Sequence, residues 1–209
     1  MNNKIKNLLL AIAKCDEVEK AKSSNDHPCN KIVCSQDGEF QLPEPWNGHL
    51  DTAEILFISS NPSIDPNENY PTANCNDEDI TSFFENRFEN TPKNQWSTYW
   101  RTILKWAGWI IPNIGFDKIA ITEIVHCKSQ KEFGVYECMN FCAEKWLNEV
   151  LSVYNGKYIV LVGKVAQNFY NKVKENCPNK IIIQTPHFAR PVKGLTDEKR
   201  KQDFLNQLN

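Results

Sequence analysis

The sequence predicts an α/β protein: a three-layer α/β/α sandwich built on a central, four-stranded, mainly parallel sheet. Two observations carry this. Four short apolar runs have the length and β-branched composition of buried strands, at residues 54–59, 118–126, 157–163 and 180–184. Helix-patterned segments lie between them, and strand–helix–strand alternation implies right-handed crossovers and parallel pairing. A chain of 209 residues is long enough to bury such a core, and it reads as a single domain.

The elements follow in order. The opening "MNNKIKNLLLAIAKC" carries lysines, an apolar run and Cys15, in the manner of a lipoprotein signal. Its apolar run is short and Lys14 interrupts it before the cysteine, so an amphipathic helix is expected. An irregular stretch holding Cys15, Cys29 and Cys34 should then run to "QLPEPWNG", where two prolines and a glycine forbid regular structure. Strand 54–59 ends in "SSNPS". Residues 77–110 read as helical, with Phe83, Phe84, Arg87 and Phe88 on neighbouring turns and Trp96, Trp100, Trp106 and Trp109 further on, the aromatics being expected in the core. After strand 118–126, a helix over about 136–154 places Met139, Cys142, Trp146, Val150 and Val153 on one face, with Gly156 as its stop. Strand 157–163, the helical "KVAQNFYNKVKEN" and strand 180–184 complete the pattern.

Composition narrows the function. Hydrophobic residues make up 41% and charged residues 24%, ordinary for a globular chain, and the net charge of −2 excludes binding nucleic acid by bulk positive charge. No stretch approaches the roughly 20 apolar residues that span a bilayer. A cytoplasmic protein without membrane association is expected. In that setting eight cysteines point to buried thiols or a metal site rather than a disulfide framework. Cys177, beside Pro178, is expected to be a buried apolar thiol.

In open parallel sheets, ligands bind at the carboxyl ends of the strands. Asn61, Glu123, Gly163 and His187 fall there. Each alone is a common turn or loop residue; their order along the chain is more specific.

Together they resemble the uracil-DNA glycosylase superfamily, over about residues 54–190. "FISSNPSI" is similar to its first motif, in the Asn-Pro form of the mismatch-specific and single-strand-selective branches. "ITEIVHCKS" and "VLVGKVAQ" resemble the middle strand and the Leu-Gly-x-x-Ala turn of the iron–sulfur branch. "TPHFAR" stands in the place of the His-Pro-Ser motif. The resemblance implies hydrolysis of the N-glycosidic bond of a base extruded from DNA, single-stranded or mismatched, by a monomer. It makes Asn61 the positioner of the attacking water and His187 a donor to the departing base. Ser60, Pro62, Ser63, Tyr70, Phe84, Glu123, Gly163 and Arg190 become candidate substrate contacts, with Tyr70 or Phe84 stacking on the base.

The chain also departs from that pattern. Ser-Ser replaces an opening glycine, and Phe188 follows His187. Glu123 stands where the iron–sulfur branch reads uracil with an asparagine. An amide offers donor and acceptor to uracil, whereas a carboxylate only accepts. Uracil is therefore a poor fit unless Glu123 is protonated or turned away, while an ionised one suits the donor edge of guanine. Pairing of Glu123 with Lys128 or Arg190 is the structural alternative.

The same branch binds a four-iron, four-sulfur cluster through four cysteines. Cys127 and Cys142, fourteen residues apart, resemble its second pair. Cys15 and Cys29 are the next candidates, Cys34 is a reserve, and Cys138 could replace Cys142. Zinc is the alternative to the cluster. The rival functional readings are a base-binding module without catalysis and a metal-stabilised interaction protein.

Overall fold

The computed structural model describes residues 2–36, 38–65, 68–188, 194 and 196–208. Its centre is a sheet of four parallel strands, β1 (Ile55–Ser59), β2 (Ile119–Glu123), β3 (Tyr158–Val162) and β4 (Ile181–Thr185), in the order β2-β1-β3-β4. The expected strands are all present, with bounds within a residue except that β2 ends at Glu123, three residues before the expected end.

Alternating side chains build two cores. Leu56, Ile58, Ala120, Ile159 and Leu161 face one side of the sheet. There they pack under α1 (Asn3–Ala13), α2 (Glu17–Ser23), α3 (Asn30–Val33), α4 (Asp77–Glu85), α7 (Val135–Val153), α8 (Gly163–Gln167) and α9 (Tyr170–Asn176). Ile55, Phe57, Ile119, Ile121, Val160, Val162 and Ile183 face the other side, against α5 (Arg87–Asn90), α6 (Thr98–Ile110) and α10 (Asp197–Leu205). Because both faces are covered, the strands are near-continuous apolar runs. Phe88, Trp96, Trp100, Trp106 and Trp109 belong to this second core, as their spacing predicts.

The crossover from β1 to β2 runs one way along the sheet, and that from β2 to β3 the other. This puts a topological switch point between β1 and β3.

Three expectations are corrected. The Cys-bearing segment is not irregular throughout, since α2 and α3 interrupt it. The helical region 77–110 is broken at 91–97, where Pro92 lacks an amide hydrogen and Thr91 before it is extended. Gly156 does not cap α7. A Cβ there would stand 2.2 Å from Ala53 O, so glycine is required by close backbone approach. Cys177 is buried, as expected. Among the described residues no helix is long and apolar enough to cross a membrane.

Candidate functional site

The turn after β1 is fastened to the segment after β2. Ile124 and Val125 donate backbone N–H groups to Ser59 O (2.9 Å) and Ser60 O (3.0 Å), and Ser129 N–H donates to Pro62 O at 3.1 Å. Within that clasp, Asn61 Nδ2 donates to Pro62 O (2.9 Å), Ser129 Oγ (2.9 Å) and Cys127 O (3.4 Å). Three acceptors around one nitrogen fix the amide's orientation. No donor among the described residues reaches Oδ1. The strand ends in Asn-Pro because the turn uses the asparagine as a cross-strand donor and the proline, without an amide hydrogen, leaves no donor to satisfy.

Glu123, the last residue of β2, is in register with Ser59. Only 6% of it is exposed, and Oε2 has no partner among the described residues. Burial, then the neighbouring negative charges of Glu44 and Glu132, push its carboxyl well above the usual range and favour the neutral acid. A neutral carboxyl carries one donor and one acceptor, as an amide does. The Ser60 hydroxyl is also buried, with no partner among the described residues. Tyr99 reaches in from α6 and shares a hydrogen bond with Ser59 Oγ; burial and then Glu123 hold its phenol protonated.

His187, just beyond β4, lies near-parallel to Tyr99, with ring centroids 5.9 Å apart. It also packs over Gly163, the residue after β3: a Cβ on Gly163 would sit 3.5 Å from His187 Cβ. Gly163 has φ +81°, a conformation that side chains disfavour. Asn61, Glu123, Gly163 and His187 therefore share the carboxyl edge, across the switch point. Tyr99 and Ser59 join them without a sequence signal, since one aromatic in an amphipathic helix looks like any other core residue.

Two expected contacts are corrected. Tyr70 and Phe84 offer no stacking surface. Phe84 is fully buried, and Tyr70 is wedged edge-on between Phe83 (5.2 Å) and Phe84 (5.8 Å), with Lys128 Nζ 3.4 Å from its ring centroid. Tyr70 belongs to a buried polar network that sequence reading missed. Its hydroxyl donates to Glu44 Oε2 (3.0 Å), as does Arg87 Nη1 (2.7 Å), while Arg87 Nη2 pairs with Glu68. Lys128, completely buried, pairs with Glu68 at 3.2 Å and not with Glu123. Pro62 is buried and Ser63 is exposed on the turn. Arg190 lies outside the described residues.

The four candidate thiols converge. Cys15 at the α1–α2 turn, Cys29 before α3, Cys127 after β2 and Cys142 on α7 line one small cavity that opens to solvent. Cys34 is exposed and Cys138 is buried away from the cavity wall. The Cys138 thiol donates to Gly134 O at 3.2 Å. Burial, reinforced by the other three thiols, drives the Cys127 pKa well up. Such a pocket suits deprotonated sulfurs only when a positive centre sits among them.

Among the described residues no three His, Cys, Asp or Glu side chains close on one metal ion. A structural zinc requires four donors about 2.3 Å from a point, whereas an iron–sulfur cluster spreads its thiolates around a cavity. Four thiols around one cavity are donor chemistry that either group uses.

Compared with known proteins, the chain matches no family model and no curated protein.

Proposed function

We propose that this protein is a DNA glycosylase-like N-glycosyl hydrolase that takes an extruded base at the carboxyl edge of its sheet. The observation that carries the reading is the Asn61 amide. It is pinned through Nδ2 with Oδ1 left open, two residues beyond the paired Ser59 and Glu123. Oδ1 can accept a hydrogen bond from the water that attacks C1′. An amide is a weak base, but a departing base anion asks little of it. His187 can donate to a carbonyl oxygen of the base as charge develops there.

Glu123 selects the base. As a neutral acid it pairs with an adjacent N–H and C=O, the edge that uracil and hypoxanthine present. Its burial disfavours the ionised form that the donor edge of guanine would need. Cys15, Cys29, Cys127 and Cys142 would hold a four-iron, four-sulfur cluster that ties the N-terminal helices to β2 and α7.

The experiment is a base-release assay on single-stranded, duplex and mismatched oligonucleotides carrying uracil, hypoxanthine or xanthine. Release of uracil or hypoxanthine is the expected result. The buried, unpartnered Glu123 and Ser60 favour one second reading, a pocket that binds a base without cleaving it. Salt-dependent binding with no release from any substrate would establish that reading instead.

A further inference from the structure

Lys128 immediately precedes Ser129, whose hydroxyl accepts from the Asn61 amide at 2.9 Å. Among the described residues it is the one fully buried lysine. Its ammonium is held 3.2 Å from Glu68 Oε2 and 3.4 Å from the Tyr70 ring centroid. Its carbonyl accepts from Gln36 Nε2 at 3.2 Å. Ser129 forms a parallel bridge with Ser63 and donates its N–H to Pro62 O at 3.1 Å. One residue thus carries a buried anchor, and the next carries the contact that fixes Asn61. Burying an ammonium is costly, and an apolar side chain of similar volume is often as stable or more so. Stability gives no reason for a lysine here; the clasp beside it does.

Resting on the hydrolase reading above, we propose that Lys128 is a positioning residue for Asn61. Its ammonium, anchored on Glu68 and Tyr70, fixes the backbone at Ser129. Ser129 Oγ in turn fixes the amide whose Oδ1 receives the attacking water. Misplacing a reacting group by about 1 Å can cost about 100-fold in rate, so an anchor outside the pocket carries weight in the chemistry.

The test compares the wild type with Lys128→Met and Glu68→Gln as full chains. Methionine keeps an unbranched side chain and removes the ammonium, while glutamine weakens the same anchor from its half-buried side. The Asn61 side-chain amide, identified by its loss in Asn61→Ala, is followed by NMR. Its hydrogen exchange should become at least ~10-fold faster in both variants. Single-turnover release of uracil should fall about 10–100-fold, with oligonucleotide affinity unchanged. Arg87→Met disturbs the same network without touching the ammonium, and should leave Asn61 exchange at the wild-type rate. Wild-type exchange in both anchor variants, or equal acceleration in Arg87→Met, overturns the proposal. Accelerated exchange confined to the anchor variants, in a protein that releases no base from any substrate, leaves the anchor standing and overturns the hydrolase reading alone.

Discussion

Asn61 Nδ2 lies 2.9 Å from Ser129 Oγ, joining the turn after β1 to the segment after β2 through side chains of two separate motifs. The contact makes the orientation of Asn61 a tertiary property. It also separates two substitutions that would otherwise look alike.

Asn61→Ala should abolish base release and leave oligonucleotide binding nearly unchanged, because positioning water acts in the transition state. Asn61→Asp should in addition destabilise the fold by about 1–3 kcal/mol. It replaces the donor with a carboxylate facing Pro62 O, Cys127 O and Ser129 Oγ. Single-turnover assays and urea denaturation check the pair. Full activity in Asn61→Ala would remove Asn61 from the chemistry.

Glu123 should show itself in the pH dependence of stability. Its folded pKa is raised, first by burial and then by Glu44 and Glu132. From an unfolded value of about 4.3 up to the folded value, the native state keeps a proton that the unfolded chain gives up. Stability therefore falls as pH rises through that window, by about 1.4 kcal/mol for each unit of difference. Glu123→Gln, neutral throughout, should match the wild type below pH ~4 and exceed it by at least ~1 kcal/mol at pH 7. It should also keep uracil release, since glutamine offers the same donor and acceptor. A less stable Glu123→Gln at pH 7 would mean that an ionised Glu123 supports the fold.

Cys127→Ser should lower bound iron and cost about 2 kcal/mol, or some 4–8 °C in Tm at this chain length. Iron analysis with thermal melts of anaerobic protein decides it. The wild type treated with chelator should fall to the same Tm. Equal melting of untreated, stripped and mutant protein would mean that no metal supports the fold.

Arg87→Met should destabilise by about 3–5 kcal/mol, because it strands Glu44 in the interior. Burial alone would raise the Glu44 pKa; Arg87, then Lys128, outweigh it and bring it below the usual range. That contribution is present above pH ~4.3 and is lost as pH falls through the folded value. The gap between wild type and variant should therefore narrow in acid. A constant gap from pH 3 to 7 would point to lost packing alone.

The sequence by itself determined the strands, the long helix α7 and the carboxyl-edge position of Asn61, Glu123, Gly163 and His187. These follow from apolar periodicity and chain alternation, which are local properties. It also marked Cys15, Cys29, Cys127 and Cys142, although the N-terminal spacing left Cys34 in contention. Only the tertiary structure separates the two positions, because the α1–α2 turn brings Cys15 onto the cavity that α7 and the end of β2 complete, while Cys34 is exposed.

Tyr70 was legible as an aromatic but not as core, and Phe84 was read both as a core aromatic and as a stacking surface; burial decides for the core in both. The charge state of Glu123 was equally out of reach. It depends on burial and on Glu44, 79 positions away, so no local pattern could encode it. Burial and long-range electrostatics belong to the assembled fold, and they decide what a strand-end carboxyl can recognise.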